Sequence, residues 1–152
     1  MKTIIKNASR LVLILSLSTT GFLINSAAYA SDHETQCFND VQGKTPWNDE
    51  GNMNWDAENI KQLCEGTAKP AEPGKCFTMV RTGRVKWGTA NSSTQWDWKN
   101  IINLCSGTSD AEKTVACFNS GVSSGSDWRD AILTCQRALS GKTKSNTLNW
   151  NQ

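Results

Sequence analysis

Six cysteines and seven tryptophans stand out in a chain of 152 residues that holds a single histidine. Cysteine brings disulfide or metal chemistry, and tryptophan brings a flat apolar face with one N–H donor. The cysteines are Cys37, Cys64, Cys76, Cys105, Cys117 and Cys135. None belongs to a C-x2-C pair or has a neighbouring histidine, as a structural zinc site would require. An even number of cysteines in an exported chain reads as a disulfide framework, and the first residues here imply export.

The tryptophans fall into classes by their distance from the cysteines. Trp47 and Trp87 follow Cys37 and Cys76 by 10 and 11 residues, and Trp55 and Trp96 each precede the next cysteine by 9. Amide and carboxylate side chains crowd around them: Asn48, Asp49, Asn52 and Asn54 near the first pair, Asn91, Thr94 and Gln95 near the second. A sugar ring has apolar C–H faces and a rim of hydroxyls, so an indole flanked by amides suits it chemically. Trp47, Trp55, Trp87, Trp96, Asn52, Asn91 and Gln95 are therefore the candidate ligand-binding residues. The bland reading of Trp55 and Trp96 is a hydrophobic staple packed on Ile60 or Ile101. Trp is also enriched at protein interfaces, so the same loops suit a protein partner.

Catalysis has weaker support. His33 lies near the expected mature N-terminus, a stretch expected to be mobile. No Gly-x-Ser-x-Gly, His-Glu-x-x-His or phosphate-cradling glycine loop occurs. Asp56 and Asp97 are the pair that a glycoside hydrolase would invite, but their shared register is explained more simply by helix capping. The run from Asn48 to Asn52 has oxygen ligands of the kind calcium takes, yet it misses the EF-hand offsets and reads as a solvated turn. No metal, cofactor or catalytic residue is assigned. Asn91-Ser92-Ser93 fits the N-glycosylation rule, which matters only in a eukaryotic host.

The elements that position these residues follow from periodicity. Cys37-Phe38, Cys76-Phe77 and Cys117-Phe118 open three units, and Cys64, Cys105 and Cys135 close them. Counting back from the closing cysteine, position −8 is Asp56, Asp97 and Asp127. Trp98, Ile101, Ile102 and Cys105 share one face of a helix, as do Trp128, Ala131, Ile132 and Cys135, so Trp98 and Trp128 are expected in the core. The shared Asp then caps each helix, and Gly66 and Gly107 close the first two in the left-handed conformation. In the third unit Asp110 to Phe118 also reads as helix, and the matching helix of the second starts near Pro70, Pro73 and Gly74.

The expected fold is all-α: a small disulfide-stapled protein of three helical-hairpin repeats with irregular Trp-containing loops. Cysteine pairs 37–64, 76–105 and 117–135 are favoured because the loops vary while both cysteines persist. Bridges between neighbouring units, 64–76 and 105–117, stay open as alternatives. The organisation read from the chain is a signal peptide over 1–30, a single domain over 31–139 with repeats at about 37–66, 76–107 and 117–138, and a polar tail over 140–152. The tail is expected to be disordered.

The signal rests on Lys2, Lys6 and Arg10, an apolar run from Leu11 to Ile24, and Ala28-Tyr29-Ala30 before Ser31. That run is too short and too diluted to span a bilayer. Removing it lowers 16 basic residues to 13 against 14 acidic ones, so the mature chain has a net charge of −1. A near-neutral mature chain has no electrostatic footprint for nucleic acid, and no further long apolar stretch follows residue 30, so neither nucleic acid nor membrane insertion is expected. The expected protein is secreted or periplasmic, non-catalytic, and binds a glycan or cell-wall polysaccharide through its Trp loops. The alternatives are a protein-directed inhibitor, toxin or adhesin, with an extracellular protein as partner, or a structural envelope component.

Overall fold

The computed structural model describes residues 27–85 and 97–139. The first 26 residues of the expected signal, the segment 86–96 and the tail 140–152 lie outside the described residues. The described chain is all-helical: α1 (Ala27–Lys44), α2 (Ala57–Cys64), α3 (Ala71–Met79), α4 (Trp98–Cys105), α5 (Ala111–Ser123) and α6 (Trp128–Leu139). A widened turn over Val80–Arg84 prolongs α3 and contains Gly83, whose φ of 85° breaks the helical path. Helix α1 crosses the expected signal junction after Ala30 and carries His33 exposed on its surface. Among the described residues no helix is long and apolar enough to cross a membrane.

Local chemistry accounts for the helix boundaries. Asp56 accepts from the Glu58 amide at 2.8 Å and Asp97 from the Lys99 amide at 2.8 Å, which satisfies donors that the first turn leaves free. Asp127 does the same for Arg129 at 2.8 Å. Asp110 starts α5 by accepting from the Lys113 amide at 3.0 Å, and its other oxygen meets Lys113 Nζ at 2.9 Å. The hydrogen bond from Lys113 holds the Asp110 carboxyl below the ordinary carboxylate range. At the far ends, Gly66 and Gly107 take φ of 77° and 67°, where a side chain would be strained.

Three disulfides join successive helices. Cys37–Cys64 links α1 to α2, Cys76–Cys105 links α3 to α4, and Cys117–Cys135 links α5 to α6. The core gathers around them, with Val41, Ile60, Leu63, Phe77, Val80, Ile102, Leu104, Phe118 and Ile132 essentially withdrawn from water. Helix α4 is buried on every side from Asn100 to Cys105, so it is the central rod against which α2, α3, α5 and α6 pack. Helices α1 and α3 approach closely at Gly74, where an added Cβ would lie 2.8 Å from Thr45 Oγ1 and 3.3 Å from Val41 Cγ2.

The turns that end α2 and α4 hydrogen-bond to each other. The Gly107 amide donates to Leu63 O at 2.8 Å, Gln62 Nε2 to Asn103 Oδ1 at 3.0 Å, and Thr67 Oγ1 to Thr108 O at 3.1 Å. The Ser106 hydroxyl closes on the Gln62 carbonyl. The seam continues to the end of α6, where the Ser109 amide reaches Leu139 O at 3.0 Å. Buried backbone groups that helices leave open are thus paired across the molecule.

Candidate aromatic binding site

Between α1 and α2 the chain makes a compact loop whose bonds fix two indoles. Asn48 accepts from the Asn52 amide through its side chain at 2.9 Å, Gly51 donates to Asn48 O at 3.2 Å, and Gly51 takes a φ of 79°. Asn52 is a frame residue of this turn: its carbonyl accepts from the Trp47 amide at 2.6 Å, and its Oδ1 from the Asn54 amide at 2.7 Å. The expected Asn/Asp/Gly turn is present. Among the described residues no three His, Cys, Asp or Glu side chains gather as a metal site would need.

The loop brings Trp47 and Trp55 together edge to face, their centroids 5.0 Å apart. Trp55 donates its indole N–H to Thr45 O at 2.8 Å, which satisfies the one polar atom of the ring. Both rings rest on Phe77 of α3, which is fully buried, at centroid distances of 6.4 Å for Trp47 and 4.7 Å for Trp55. Trp98, the first residue of α4, closes the group 5.1 Å from Trp47. The three indoles are half-buried, packed on the core yet open to solvent.

Ionic contacts frame this patch. Arg81 lies one helical turn beyond Phe77 and binds Asp49, so the widened turn after α3 clamps the loop that carries Trp47. The arginine side chain is only 16% exposed against 82% for the aspartate, and its Nε is buried without a partner. On the other flank, Lys99 Nζ lies 5.3 Å from the Trp98 centroid. The same device recurs on α6, where Arg129 covers Trp128 at 4.2 Å.

Of the candidate ligand residues, the structure unites Trp47 and Trp55 and places Asn52 in the turn that holds them. Trp87, Asn91, Gln95 and Trp96 lie outside the described residues, as does the Asn91-Ser92-Ser93 sequon. Phe77, Arg81 and Trp98 were not anticipated as parts of the site. Trp98 and Trp128, expected in the core, pack on it but stay half-exposed, because an indole is too large for its stripe position to bury fully. The Trp55 ring, expected as a staple on Ile60, packs on Phe77 from another disulfide-linked pair. In comparisons with known proteins, no protein family, curated protein or solved structure matches this chain.

Proposed function

We propose that the protein is a secreted, non-catalytic binding protein whose Trp47, Trp55 and Trp98 patch receives the apolar face of a glycan or cell-wall polysaccharide. One observation carries this reading: half-buried Trp47 and Trp55 are fixed on a buried Phe77 with Trp98 against Trp47, beside a turn whose Asn52 and Asn54 are exposed. Aromatic faces held in place before binding lose little entropy when a ligand arrives. Trp87, Trp96, Asn91 and Gln95 complete the proposal as the corresponding loop of a second unit. In this reading the chain is an array of three helical-hairpin repeats, at about 37–66, 76–107 and 117–138. The Asp caps in one register and the hydrogen-bonded turns of Gly66 and Gly107 favour it.

Tryptophan fluorescence with acrylamide quenching tests the proposal, using the oxidised protein and a panel of soluble oligosaccharides. A saturable blue shift with one sugar class, lost in Trp47→Ala and retained in a fold control such as Lys61→Ala, is expected. A spectrum that no sugar alters overturns it and directs the search to protein partners.

A further inference from the structure

Lys99 is the feature that the aromatic packing leaves unexplained. Lys44, Lys61, Lys75, Lys113, Arg81 and Arg84 each pair with a carboxylate. Lys69, Lys99 and Arg129 form no ion pair among the described residues; Lys99 alone of these is half-buried, and its ammonium stands over the Trp98 ring. A cation on an indole gains an attraction of about 0.5–2 kcal/mol, depending on how far it is desolvated. Among the described residues no carboxylate supplies the counter-charge that partial burial makes valuable.

We propose that the ligand is an acidic glycan, a chain whose sugars bear carboxylates, and that Lys99 is the residue that reads the charge. The inference rests on the glycan reading above and narrows it. A pyranose stacked on Trp47 projects its exocyclic group from the ring edge, in the plane of the ring. Trp98 lies 5.1 Å from Trp47 and 5.3 Å from the Lys99 ammonium, so the charge is within about two ring widths of the Trp47 ring. A uronate carboxylate on a sugar stacked there would lie within that reach. A nucleic acid requires a row of phosphate-binding cations, whereas this loop carries Asp49 and Glu50 at its tip. A sparse anion with apolar ring faces matches one lysine beside three indoles.

The test titrates the oxidised protein with galacturonate, glucuronate and mannuronate oligomers, each also as its methyl ester, which keeps the chain and removes the charge. At least one acid oligomer is expected to bind about tenfold more tightly than its ester, the size of one charge-assisted contact. Lys99→Gln is expected to remove that preference while the protein stays folded, with a fall of a few degrees in thermal midpoint from the lost contact with Trp98, and added salt to weaken the preference. Arg129→Gln removes the equivalent cation from Trp128 and is expected to leave binding intact. Equal affinity for acid and ester, an unaffected Lys99→Gln, or equal losses in both variants overturns the acidic-glycan inference while leaving a neutral glycan as ligand. If acids, esters and neutral sugars all fail to bind, the glycan reading falls and this inference with it.

Discussion

At the scale of single residues, position in a network decides what a side chain contributes. Trp47 touches three other rings and reaches solvent, so it packs on the core and, in the proposed reading, meets the ligand. Trp47→Phe keeps an aromatic face on Phe77 and is expected to retain most stability while weakening sugar binding. Trp47→Ala is expected to lose about 1–3 kcal/mol as well, less than a fully buried aromatic loses, by urea denaturation. Asp110 gives a pH signature. Its carboxyl is held below the ordinary range by the Lys113 hydrogen bond, so its contribution is complete above the unfolded carboxylate pKa. That contribution disappears as pH falls through the lower folded value. Asp110→Asn should therefore be less stable than the parent at neutral pH and approach it in acid; a gap that persists in strong acid would contradict the assignment. Arg81 and Asp49 show what a sequence conceals. They are 32 residues apart, and no local pattern announces that an arginine after α3 will clamp the loop before α2.

At the scale of elements, the legible features are those with local causes. Asp at −8 caps α2, α4 and α6 because the bond runs to an amide two residues on, and such a bond needs no tertiary partner. Asp56→Ala and Asp127→Ala, both at exposed caps, are each expected to cost about 1 kcal/mol in denaturant melts. Gly66 and Gly107 were legible for the same reason. The central burial of α4 was not, since Asn100 and Asn103 are polar residues that become interior only when neighbouring helices close around them. The approach of α1 to α3 was equally hidden. Gly74 is in a helix, where alanine would ordinarily be preferred by about 1 kcal/mol. Here a methyl would meet Thr45, the residue whose carbonyl anchors Trp55. Gly74→Ala is thus expected to destabilise by about 1–3 kcal/mol through overpacking, and Gly74→Ala with Thr45→Ala to recover part of that loss. A stabilised single variant would show that the helices can part without cost.

At the scale of the whole molecule, three covalent links and one hydrogen-bonded seam hold the six described α-helices, and the links are not equally protected. Cys37, Cys64, Cys76 and Cys105 are at most 1% exposed, and both of their disulfides lie within the common core. Cys117 is half-exposed on α5, although its partner Cys135 is buried. A thiolate must reach a disulfide sulfur before it can exchange, so access orders the reactions when chemistry is alike. The Cys117–Cys135 link also spans only 18 residues against 27 and 29 for the other two, and a shorter loop restricts the unfolded chain less. Both arguments point the same way. Mild reduction followed by alkylation and peptide mass mapping is expected to label Cys117 and Cys135 first, with helical circular dichroism largely retained. The other two links should open together with loss of the fold, because their sulfurs become reachable only when the core around Phe77 and Ile102 comes apart. A Cys117→Ser, Cys135→Ser protein should accordingly remain folded, with a smaller loss of stability than a Cys76→Ser, Cys105→Ser protein. Early labelling of Cys76 or Cys105 would mean instead that α4 opens before the α5–α6 pair, and that the central rod is not the last part of the structure to yield.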